Sequence, residues 1–117
     1  MNRDMDVVRQ IAKRLKEVNA SVSNVVGIDD KVFRFNANLM REAGLVVANI
    51  SESEDDSGAP KFVLLTRLTW SGFDFADASA NDTIWNKTKA KIIDAGPGWT
   101  FSILMEALKL AIKSQGG

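Results

Sequence analysis

The sequence predicts an α+β fold, and three features of it do the predicting. An amphipathic segment over residues 30–43 stops at Gly44 and passes directly into the apolar, β-branched run Leu45–Ile50. A second extended run, Phe62–Thr69, follows the polar connection SESEDDSGAPK, which contains Gly58 and Pro60. Most of the remaining chain repeats its apolar residues at helical spacing. Together these give a small antiparallel β-hairpin packed with about five helices.

Taken in order, residues 4–18 form the first helix. Met5, Val8, Ile11, Ala12, Leu15 and Val18 make its apolar stripe, and Arg9, Lys13, Lys16 and Glu17 face out. Asn19–Val26 turns from polar to apolar, and Val22–Val26 allows a third strand beside the hairpin. Asp29 or Asp30 caps the central helix, where acidic residues also suit the positive end of the helix dipole. Gly44 supplies the left-handed residue that ends it. Val32, Phe33, Phe35, Ala37, Leu39, Met40 and Ala43 cover one broad side of this helix, while Lys31, Arg34, Asn38, Arg41 and Glu42 cover the other. Asn36 falls within the apolar side. A buried amide without partners costs about 1–3 kcal/mol, so its side chain is expected to bond backbone.

The hairpin connection carries four acids, Glu52, Glu54, Asp55 and Asp56. It reads as a mobile, solubilising loop, with an acidic lure for a basic partner as the alternative. Phosphates would repel it. Thr69 then caps a helix to about Ser79 that packs through Trp70, Phe73 and Ala76. Asp82 or Thr83 caps the next, whose stripe is Ile84, Trp85, Thr88, Ile92 and Ala95, ending before Gly96-Pro97-Gly98. Trp70, Trp85 and Trp99 are all assigned to packing. The last helix, about Thr100–Ser114, is apolar almost all round, with Glu106, Lys109 and Lys113 as its polar strip. That surplus points to a homodimer through Ile103, Leu104, Leu108 and Ile112, against simple burial.

A chain of 117 residues has room for one core, so residues 1–117 read as one domain with a helical extension over about 82–114. Cysteine and histidine are both absent, which removes Cys/His zinc sites, thiol nucleophiles, imidazole bases and disulfides. The pairs Asp4/Asp6 and Asp74/Asp77 are more simply helix caps than a general acid and base. No catalytic residue, metal site or cofactor is expected. No apolar run approaches the roughly 20 residues needed to span a bilayer, and the first residues lack the apolar core of a signal peptide; the reading is a cytoplasmic protein with no membrane partner. Fifteen basic and fifteen acidic residues cancel, so any nucleic-acid contact must come from a local patch.

The order helix, short strand, helix, strand, strand is a winged-helix-like arrangement in which one helix of the usual helix-turn-helix is reduced or missing. LMREAGLV and RLTWSG look like the helix stop and the post-wing helix start of winged-helix regulators. A fuller resemblance covers nearly the whole chain. The opening MNRDMDVVRQI, the segment MREAGLV and the block LTRLTWSGFDFADASANDTIWNKTKAKI resemble a family of small proteins of unknown function common in bacteriophages and prophages. The family pattern places histidine and glutamate where this chain has Phe73 and Asp74, so a His-Glu site could not operate here. The resemblance implies a phage or prophage origin, a bacterial host cytoplasm and a winged-helix-like fold.

Two functions follow as expectations. A DNA-binding regulator would use Lys31, Arg34, Asn38 and Arg41, because arginine and asparagine read guanine and adenine edges bidentately. A protein-binding phage factor would inhibit or redirect a host protein, as anti-CRISPR-like anti-defence inhibitors do. The fold's usual habit places DNA regulation ahead; the neutral charge and acidic loop favour the second.

Overall fold

The computed structural model describes residues 1–116. Its elements are α1 (Met5–Glu17), α2 (Asp30–Glu42), β1 (Val46–Ile50), β2 (Val63–Leu68), α3 (Trp70–Ala78), α4 (Asp82–Ile92) and α5 (Phe101–Gly116). The α+β class is as the sequence predicts, with five helices and one two-stranded antiparallel sheet among the described residues. The chain divides into two compact units, Met1–Ala76 and Asp77–Gly117. The helices expected over 82–114 belong to the second.

In the first unit, Asp4 caps α1 by accepting hydrogen bonds from the Asp6 and Val7 N–H groups at 3.0 and 3.2 Å. Met5, Val7, Val8, Ile11, Ala12 and Leu15 are buried on one side of the helix. Of the two candidate caps for α2, Asp29 does the work, accepting from the Lys31 and Val32 N–H groups. At the other end the chain makes a two-bond glycine stop. Gly44 has φ 75°, its N–H donates to Arg41 O at 3.0 Å, and the Leu45 N–H donates to Met40 O at 2.9 Å. These are the bonds of a Schellman motif. Helices α1 and α2 pack on each other, and both pack on the hairpin. Ile11, Phe33, Met40, Leu65 and Leu68 are among the side chains fully buried there, and each contributes about 1.5–3 kcal/mol by leaving water.

Asn36 is buried and does bond backbone. Its Nδ2 donates to Val32 O at 3.0 Å, and its Oδ1 accepts from the Asp4 N–H at 2.8 Å. The second bond joins the middle of α2 to the start of α1.

The hairpin pairs Val46 with Leu68 and Val47 with Arg67, then Ala48 with Leu65. Thr66 is therefore an extra residue on β2, a β-bulge. The bulge resets the alternation of faces, which is why Val63, Leu65 and Leu68 can all be buried. The third strand allowed over 22–26 is reduced to one residue pair, in which Val22 and Leu65 exchange backbone bonds of 2.9 and 2.8 Å. A few residues further on the Ile28 N–H bonds back to Val25 O, closing a turn at Gly27 with φ 90°.

Helix α3 corrects the sequence reading. Its packing side is Gly72, Phe75 and Ala76, continued by Ser79, all buried. Trp70 is 85% exposed and Phe73 45% exposed. The cause lies at Gly72, where an added Cβ would sit 2.0 Å from Leu45 O. Only a glycine lets the helix approach the entry to β1 so closely, and that approach fixes which side of α3 turns inward. Thr69 caps the helix as expected, accepting from the Gly72 N–H at 3.1 Å and donating its hydroxyl to Gly44 O at 2.6 Å.

In the second unit α4 and α5 pack together. The α4 cap is Asn81, accepting from the Ile84 N–H at 2.9 Å, and neither Asp82 nor Thr83. Asn81 is still extended, whereas Asp82 already opens the helix. Ile84, Trp85 and Thr88 are buried, but Ala95 is exposed because the helix ends at Ile92. Thr100 Oγ1 accepts from the Ile103 N–H at 3.2 Å to start α5.

Candidate partner-binding surfaces

The outer face of α2 is less free than its helical spacing predicts. Lys31 and Arg41 are exposed, while Arg34 and Asn38 are half-buried. Arg34 folds onto the hairpin connection, its Nε donating to Pro60 O at 2.8 Å and its Nη2 to Asp55 Oδ2 at 3.2 Å. Asn38 Oδ1 accepts from Arg41 Nη2 at 3.4 Å. The four residues do share one side of the helix, but Arg34 is engaged by the hairpin connection and Asn38 by Arg41.

The acidic connection is built rather than loose. Asp55 Oδ1 accepts from the Ser57 hydroxyl, from the Ser57 N–H at 2.8 Å and from the Ala59 N–H at 3.2 Å. Asp55 N–H donates to Ala59 O, and Gly58 N–H returns to Asp55 O to close the tip. The Ser57 hydroxyl bond, followed by the Ser57 N–H, the Arg34 guanidinium and the Ala59 N–H, holds the Asp55 carboxyl well below its usual range, against a smaller opposing effect of desolvation. Of the four acids, Asp55 thus turns toward α2, while Glu52, Glu54 and Asp56 are exposed. A helical wheel finds the charge on Arg34 but not its partner 21 residues away.

A surface missed in the sequence lies on α3. Trp70 and Phe73, three positions apart, share the side opposite Gly72 and Phe75, and the adjacent Asp74 is also exposed. A tryptophan with 85% of its surface in water is unusual in a folded protein, where this side chain is buried on average. A signal for it did exist, since Gly72, Phe75, Ala76 and Ser79 stand at i, i+3, i+4 and i+7. The two positions where the chain departs from the resembled pattern, Phe73 and Asp74, both lie on the exposed side.

On α5 the expected dimer set does not form one face. Leu104 and Leu108 are fully buried within the chain, whereas Ile103 and Ile112 are exposed. The latter two are nine positions apart, which at about 100° per residue puts them on opposite sides of the helix. Asp4, one of the carboxylates considered for acid–base work, is the α1 cap. Among the described residues no group of three or more Asp or Glu side chains is placed to hold a metal ion, and no helix is long and apolar enough to cross a membrane.

These features define a small α+β protein with a hydrogen-bonded acidic hairpin tip and an aromatic helix face in water. Residues 2–98 match the family model described as hypothetical protein DUF2513. The chain belongs to that family. A relative from Haemophilus influenzae, named as an uncharacterized protein, is 30% identical over 98 residues, covering 79% of this chain and 79% of the relative. No solved structure matches.

Proposed function

We propose that this protein is a non-catalytic module that binds another protein, with the outer face of α3 as its principal contact. The carrying observation is the exposure of Trp70, with Phe73 beside it. Large aromatic side chains dominate binding energy where they enter a partner's pocket, and exposed apolar groups held on a rigid helix mark such surfaces. The first unit is read as winged-helix-like, with α2 in the place of the reading helix and the hairpin as the wing. Two features of that unit disfavour DNA. Arg34 is engaged by Asp55 and Pro60, and the wing presents Glu52, Glu54 and Asp56 where a phosphate backbone would pass. In a phage or prophage setting such a module would inhibit or redirect a host protein in the bacterial cytoplasm.

DNA regulation is the second reading, and it rests on Lys31 and Arg41, which remain exposed on α2. One set of measurements tests both. Affinity capture from a bacterial lysate with wild type and with Trp70→Ala should show a protein retained by the first and lost by the second. Mixed-sequence duplex DNA should show no binding at low salt, where phosphate contacts are strongest. Tight DNA binding abolished by Arg41→Glu, with Trp70→Ala behaving as wild type, would reverse the order of the two readings.

A further inference from the structure

We infer a second docking site, independent of the α3 face and confined to the second unit: the groove between α4 and α5 takes an amphipathic helix with acidic flanks. The groove encloses about 430 Å³. Its apolar lining is Ile84 and Ile92 of α4 with Ala107, Leu110 and Ala111 of α5, and Thr88, Ser114 and Gln115 add uncharged polar groups. Leu110 is 68% exposed, so one of the groove's apolar lining side chains stands largely in water. Ile103, about two turns earlier, continues the same exposed stripe at i and i+7. A stripe of this kind bordering a trough between two packed helices has the form of a helix-in-groove site, in which leucine-like anchors at i, i+3/i+4 and i+7 enter the floor.

Charge decides which helix fits. Lys87 and Lys91 stand on the α4 side of the groove, and no acidic side chain is among the groove's lining residues. Neither lysine has a hydrogen-bond or ion-pair partner among the described residues. Two unpaired cations one turn apart along the edge complement carboxylates spaced three or four positions apart on a docked helix. A basic helix of the same apolar pattern would meet like charge. The matched family region ends at residue 98, so the α5 wall of the groove lies outside it.

The probe is a synthetic 18-residue helix with leucine at i, i+4, i+7 and i+11 and glutamate on both flanks, compared with its lysine-flanked twin, each followed by fluorescence anisotropy against the full chain. The glutamate peptide should bind and the lysine peptide should not. Leu110→Asp should weaken binding by about tenfold or more through loss of an anchor contact. Lys87→Glu with Lys91→Glu should weaken the glutamate peptide and restore the lysine peptide, a rescue that a folding defect cannot produce. Trp70→Ala should leave both results unchanged, so the groove and the α3 face fail or stand separately. Equal affinity for both peptides, or no binding of either, overturns the inference. Concentration-dependent dimerisation of the wild type that Leu110→Asp abolishes, without peptide binding, overturns it in favour of a second copy of the chain.

Discussion

At the scale of single residues, Asn36, Gly72 and Asp55 carry more structure than their neighbours. The Asn36 amide satisfies two backbone groups in a buried site, and its removal leaves the Asp4 N–H without its partner. Asn36→Ala should lower stability by about 1–3 kcal/mol, read as a shift in the urea midpoint at unchanged slope. Gly72→Ala should be worse. A methyl group 2.0 Å from a backbone oxygen cannot be absorbed by a rotamer change, and the loss should reach about 3 kcal/mol or more, seen as a lowered thermal midpoint. Asp55 makes a pH prediction. Its carboxyl is held below the ordinary value of 3.8, so its contribution to stability is fully present above that value and is lost as the pH falls below it. The stability gap between wild type and Asp55→Asn should therefore be constant from about pH 5 upward and shrink in acid; a gap that widens below pH 4 would contradict the assigned hydrogen bonds.

At the scale of elements, local signals were legible and remote ones were not. The Gly44 stop and the Thr69 cap each depend on residues within a few positions, and the structure places both where the sequence does; at the start of α2 the sequence leaves Asp29 and Asp30 open, and the structure selects Asp29. Asn36 was legible for a different reason, because a polar residue inside an apolar stripe must find backbone partners. Helix α3 was misread because its short segment offers two apolar stripes. Trp70 and Phe73 outweigh Gly72 and Phe75 in bulk, with Ala76 buried as the sequence predicts, but Gly72 decides between the two sides through a contact with Leu45, 27 positions earlier, that no periodicity reports. Arg34 was misread in the same way, since the outward direction on a helix leaves a long side chain free to curl onto a distant loop. That curl yields an element-scale prediction. Arg34→Ala should raise hydrogen exchange at the Ala59 and Lys61 amides of the tip while leaving the α1 and α2 amides protected, as the anchor between α2 and the connection is removed.

At the scale of the whole molecule, equal numbers of acidic and basic residues set how the protein meets polyanions. Retention on heparin at pH 7 should be weak and should not change by more than a small increment between wild type and Lys31→Ala, because the formal net charge is zero and one exposed lysine adds only a small local field. Strong retention that falls with Lys31→Ala would point back to nucleic acid. The sequence sets residues 82–114 apart as a helical extension, close to the second compact unit, Asp77–Gly117; that this stretch forms a compact unit of its own rests on tertiary contacts that periodicity does not report. The surplus apolar surface of α5 was visible in its composition. Which residues hold it was not, because burial of Leu104 and Leu108 depends on tertiary packing.

The Thr69 hydroxyl, which touches Gly44 O at one end of the hairpin and receives the Gly72 N–H at the other, has a practical use. It fastens residues 44 and 69 together, so the 24 residues between them form a closed excursion whose base does not depend on its tip. Foreign sequence grafted between Asp56 and Ser57 would lengthen that excursion without separating the helices at its base, and the added closure entropy rises only slowly with length. The hairpin is thus a natural place to carry an epitope or a fluorophore, leaving the α3 aromatic face and the α4–α5 groove untouched for the binding measurements.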